Sequence, residues 1–111
     1  MALSPPVAKA LGRFTAALRG EFAERLVDLR LFGSHARGDA REDSDVDVLV
    51  LIRDVTRAEA DYVAGIAADA GLLEDACVVL APLVRSPEAF EELRRRELRI
   101  ARDIDHEGIP L

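Results

Sequence analysis

Two short segments hold the residues whose types and spacing could do chemistry. The first is Gly33-Ser34-His35-Ala36-Arg37-Gly38, and the second, a few residues on, is Ser44-Asp45-Val46-Asp47. A Gly-Ser turn after an apolar run offers backbone N–H groups and a hydroxyl to an anion, and glycine lets the backbone come close to it. Asp45 and Asp47 lead the aliphatic run Val48-Leu49-Val50-Leu51 and offer hard oxygen ligands to a divalent cation. On a strand, alternate side chains share a face, so Asp45 and Asp47 project together while Val46, Val48 and Val50 turn to the core. Like charges held side by side are costly without a counter-charge, and a bound cation removes that cost. An anion cradle next to a cation site is what phosphoryl or nucleotidyl transfer requires.

The elements that must position these residues follow from patterning. Ser4-Pro5-Pro6 reads as a helix start, with Ser4 as cap, and Val7, Leu11, Phe14, Leu18 and Phe22 then form one apolar stripe. From Leu26 to Phe32 the pattern alternates, Val27, Leu29 and Leu31 against Asp28 and Arg30, which predicts a strand ended by Gly33. A short helix is expected from Ser34 to Gly38, a polar loop from Asp39 to Asp43, and a second strand from Asp45 to Leu51. Thr56-Arg57-Ala58-Glu59 is a capping-box pattern that opens a helix closed by Gly71. Cys77 to Val84 is a third apolar strand, with Pro82 pointing to an edge or a bulge. Ser86-Pro87-Glu88 starts a last helix, split by a break near Arg99. This order predicts an α/β or α+β fold whose sheet is covered on one face.

Length and composition bound the function. The 111 residues make one domain, 1–111, with half of them apolar and 5% aromatic, so the core is built from Ala, Leu and Val. A net charge of −6 argues against strong non-specific binding to nucleic acid, which needs a basic footprint. The single cysteine, Cys77, has no internal disulfide partner, which fits a reducing cytoplasm, and it is read as a small buried hydrophobe. Met1 to Gly20 carries charge throughout its apolar spacing, so no signal peptide is visible, and no apolar run approaches the ~20 residues of a membrane span. A cytoplasmic protein without a membrane partner is expected.

Other readings of the same residues are weaker. The spacing from Gly33 to Gly38 fits half of a Walker loop, but Asp39-Ala40 stands where lysine and serine or threonine belong. His35 is read as an exposed loop residue and His106 as a surface one. The run Arg94-Arg95-Arg96 with Arg99 could bind RNA or phosphate, but it is interleaved with Glu91, Glu92 and Glu97 at helical pairing distances, and a solvated, salt-bridged face is the stronger reading.

A strand, then Gly33-Ser34-x-Ala36-Arg37-Gly38, then Ser44-Asp45-x-Asp47 before another strand resembles the minimal nucleotidyltransferase group of the DNA polymerase β superfamily. The likeness is strong from Leu29 to Leu51 and looser over the rest of the chain. It implies the nucleotidyltransferase fold, a small mixed sheet of three or more strands backed by helices. It also implies Mg²⁺ and ATP or another nucleoside triphosphate, with nucleotide passed to a hydroxyl and pyrophosphate released. Carried over, Gly33 and Ser34 hold the triphosphate, Asp45 and Asp47 hold metal, and Arg37 steadies the loop or the phosphates. Active members place a third carboxylate on the later strand, where it helps deprotonate the acceptor. Here Glu74 and Asp75 just precede that strand, and Asp75, the nearer, takes the role. The resemblance further implies a helical partner of the HEPN type, with the chain as antitoxin, either attaching AMP to that partner or binding it without turnover. The acceptor, the base preference and any homo-oligomer are left open.

Overall fold

Two prolines set the first element. Pro5 and Pro6 occupy the first two positions of helix α1, Pro5–Phe22, where their missing N–H groups cost nothing. Ser4 holds the cap position, but its side chain makes no cap hydrogen bond. All five residues of the apolar stripe, Val7 to Phe22, are buried. The computed structural model describes residues 3–73 and 78–111. Strand β1, Leu26–Phe32, follows a single 3-10 turn and pairs antiparallel with β2, Val46–Ile52. One turn of helix, α2, Ser34–Arg37, joins them. The bulge between Leu26 and Asp28 makes Val27 an extra residue, 49% exposed, in place of the core position its alternation suggests.

Helix α3, Arg57–Leu72, opens on the expected capping box: the Glu59 N–H donates to Thr56 Oγ1 at 3.1 Å and the Thr56 N–H to Glu59 Oε1 at 3.0 Å. Gly71 is not its cap. It lies inside the last turn, where a Cβ would collide with the carbonyl oxygen of Val78, so glycine is needed for close passage of the chain. Strand β3, Leu80–Arg85, runs parallel to β2 and lies at the sheet edge, where Pro82 leaves no interior ladder unmade. The expected strand from 77 therefore starts later within the described residues, and Cys77 lies outside them. A fourth strand, β4, Ile109–Pro110, pairs with β1 on the opposite edge and gives the order β3-β2-β1-β4.

The sheet is covered on both faces, not one. Helices α1 and α3 enclose Leu29, Leu31, Val46, Val48 and Val50 on the first face. On the second, Leu49 and Leu51 meet Phe90 of α4, Pro87–Arg95, and Ala101 and Ile104 of α5, Arg99–Glu107. The expected break in the last helix is the cause. Glu97 adopts a φ of 53° between the two segments, so α5 returns along α4 and lies under the sheet. Arg94 then joins the two helices, donating to Asp105 at 2.8 and 2.9 Å and to Glu91 at 3.0 Å, with its guanidinium over the Phe90 ring. The interleaved charges thus pair as expected for Arg94 and for Arg95, which meets Glu92.

Candidate active site

Strand β2 is sandwiched between the two helical layers, and every residue in it is buried except Asp47. A half-exposed carboxylate in an otherwise buried strand is the informative exception. Facing it, Gly33 ends β1 with φ 77°, ψ −155°, a backbone conformation open almost only to glycine. A Cβ built on Gly33 would collide with Asp47 Oδ2. Both requirements select glycine here, and they bring the two sequence segments into contact.

From Gly33 the chain turns directly into α2. The Ala36 and Arg37 N–H groups donate to the Gly33 carbonyl at 3.1 and 3.0 Å, and Gly38, with φ 85°, closes the turn. Among the described residues the Ser34 side chain has no hydrogen-bond partner, so its hydroxyl is available to a ligand. His35 is half-buried rather than exposed, and its Nε2 meets the Ser44 carbonyl at 3.2 Å, which ties α2 to the segment preceding Asp45. Ser44 itself closes a turn: its Oγ accepts from the Arg41 N–H at 2.8 Å and its N–H donates to the Arg41 carbonyl at 3.0 Å. Its place ahead of the aspartates is therefore conformational.

Burial first, and then the nearby charge of Asp45, push the Asp47 carboxyl above its ordinary value, while His35 and Arg37 pull it back. A hard cation would relieve the cost of ionising it, so the donor set fits a divalent metal. Asp45 is exposed and sits one residue before β2 begins. Arg37 donates to Asp39 at 3.2 Å and to Glu107 at 3.1 Å, which raises its pKa and bridges α2 to the end of α5.

Two hollows flank the turn. The smaller, of about 390 Å³, is lined by Gly33, Ser34, Arg37, Asp47, Arg99 and Glu107, among others. The larger, of about 650 Å³, holds His35, Ser44 and Asp45 beside Val46 and Val79. The Gly33-Ser34 turn lines the smaller one, with Arg37 and Asp47 beside it. Sequence reading assigned Arg99 to a solvated, salt-bridged face and missed Asp103 and Glu107 of this hollow. Their spacing of four placed them on one helical face, but nothing local says that this face returns to Gly33.

The register fixes what stands beside Asp47 on the neighbouring strand. Asp47 pairs with Ala81, and β3 contains no acid over Leu80–Arg85. Glu74 and Asp75 lie outside the described residues. Among the described residues no three His, Cys, Asp or Glu side chains gather as a metal-holding group.

A family model described as a nucleotidyltransferase domain matches residues 16–105, which include both segments of the site. The chain belongs to this nucleotidyltransferase domain family. A Methanocaldococcus jannaschii protein named "Putative protein adenylyltransferase" is 38% identical over 84 residues, covering 76% of this chain and 78% of that protein. A second protein of the same name and organism is 39% identical over 62 residues, 55% of this chain and 61% of its own. A solved structure described as a "putative minimal nucleotidyltransferase" superposes with a TM-score of 0.61 at 27% identity over 95% of each chain. The fold is accordingly a nucleotidyltransferase fold, and the function is of the nucleotidyltransferase, adenylyltransferase type. In this nucleotidyltransferase domain no helix of the described residues is long and apolar enough to cross a membrane.

Proposed function

We propose that this chain transfers a nucleoside monophosphate, AMP from ATP, to a hydroxyl acceptor on a partner protein, in a Mg²⁺-dependent reaction. The observation that supports it most is the meeting of the two segments, the Asp47 carboxylate lying where a Gly33 side chain would be. Gly33 and Ser34 hold the β and γ phosphates, and Arg37 borders them. Asp45 and Asp47 hold the metal. Magnesium held by Asp45 and Asp47 would supply charge neutralisation for the pyrophosphate leaving group. The acceptor oxygen bonds to the α phosphorus as the bond from that phosphorus to the bridging oxygen breaks, and pyrophosphate leaves with the electron pair. The acceptor proton passes to water or to Asp75.

Calorimetric titration with ATP, with and without Mg²⁺, tests the donor half without knowledge of the acceptor. Metal-dependent binding in the micromolar range, about −8 kcal/mol, is expected. The double substitution Asp45→Asn with Asp47→Asn removes that binding and leaves the chain folded. Retained affinity in the double variant takes both aspartates out of the site.

A second reading is favoured by Ala81, whose methyl group stands at the β3 position beside Asp47. Without a third acid from another source, the chain is an inactive antitoxin or adaptor that binds a HEPN-type helical partner. Under that reading one stoichiometric partner is captured from the native host, and its affinity ignores the aspartate substitutions.

A further inference from the structure

We infer that Arg99, far along the chain from both segments, contacts the donor's polyphosphate across the hollow from the Gly33-Ser34 turn. The inference rests on the nucleotidyltransferase reading above and adds a residue to it. Arg99 lines the same hollow as Gly33, Ser34, Arg37 and Asp47. Its backbone is held in place there, because Ala101 and Ile104, two and five residues on, are 0% exposed under β2. Its side chain, by contrast, is 93% exposed, and among the described residues its one ion-pair partner is Asp103 at 3.8 Å, beyond hydrogen-bond length. Such a pair contributes little to the fold.

Helix stability does not explain Arg99 either. It is the first residue of α5, where the helix dipole disfavours a cation, and no acid in the first turn and no side-chain cap offsets it. The other arginine of the hollow is already engaged, Arg37 with Asp39 and Glu107. Arg99 is thus the uncommitted guanidinium beside the turn, on an anchored helix, with a side chain long enough to swing inward. A guanidinium of this kind recognises phosphate oxygens by charged hydrogen bonds. Asp47, Asp103 and Glu107 leave the hollow with one more carboxylate than guanidinium among the described residues, so a polyphosphate enters with metal and is gripped by Arg99.

The test is calorimetric titration of the full chain with ATP and, separately, inorganic tripolyphosphate, both with Mg²⁺. Arg99→Ala is expected to weaken both ligands about tenfold, the loss of one charged hydrogen-bonding group. Arg99→Lys recovers part of that affinity, since it restores charge without the fork. Arg95→Ala, on α4 and paired with Glu92, binds like the parent chain, and all variants melt at the parent temperature. If the parent binds both ligands and Arg99→Ala binds them equally well, the inference falls and the nucleotidyltransferase reading stands. Equal weakening by Arg95→Ala means a bulk charge effect and also overturns the inference. If the parent chain binds neither ligand, the donor-site reading falls and takes Arg99 with it.

Discussion

At the scale of single residues, Asp47 is a carboxyl whose surroundings oppose its ionisation. Its carboxyl is pushed above its ordinary value, by burial and then by Asp45. A carboxyl shifted this way favours the fold when protonated. That contribution is full below the ordinary carboxylate value and is lost as pH rises through the raised one. At neutral pH the ionised side chain therefore costs stability that a neutral amide would not. Asp47→Asn is expected to raise the urea midpoint at pH 7 relative to the parent, with the difference shrinking toward pH 3, and to bind Mg-ATP more weakly. A midpoint lowered at pH 7 removes the claim that Asp47 is kept for a ligand rather than for the fold. The residue-scale signal was strong in the sequence because Gly33 and Asp47 each break a local rule. A glycine follows an apolar strand, and an acid sits inside a valine run.

At the scale of elements, the capping box of α3 does more than start a helix. Glu59 satisfies the Thr56 N–H and also accepts from Arg25 at 2.8 and 2.9 Å, while Arg25 donates to the Arg53 carbonyl at the end of β2. The Arg25 hydrogen bond, followed by that of Thr56, holds the Glu59 carboxyl down at about 2. With a depressed value, this contribution is present above the ordinary 4.5 and fades as pH falls toward 2. Glu59→Gln should flatten the acid limb of the stability curve across that interval, followed by chemical denaturation at stepped pH. An unchanged acid limb means that other carboxylates set it. Element starts such as this one were legible because capping is written in four consecutive residues. The end of α3 was not, since the role of Gly71 depends on where Val78 passes.

At the scale of the whole molecule, the second helical layer ties the C-terminal region to the site. Phe90 and Ile104 are buried against Leu49 and Leu51, and α5 delivers Glu107 to Arg37. Ile104→Ala should cost about 3 kcal/mol, the usual loss for a fully buried aliphatic side chain. It should also weaken Mg-ATP binding, because α5 carries one wall of the hollow. Equilibrium unfolding and the same titration measure the two effects. A destabilised variant with parent affinity shows that α5 does not shape the donor site.

The sequence alone determined the local parts of this protein. The helix starts at Pro5 and Thr56, the turn at Gly33, the paired aspartates and the buried valines of β2 follow from residue types and spacings within a few positions, which is the range over which backbone preferences and capping act. The family resemblance rested on the same short segments. Tertiary structure decided the rest. The break at Glu97 sends α5 under the sheet, the pairing of β3 with β2 sets Ala81 beside Asp47, and the return of α5 brings Arg99 and Glu107 to Gly33. Those placements depend on which apolar faces bury against each other across more than thirty residues, and hydrophobic burial is non-directional, so no local pattern encodes its outcome.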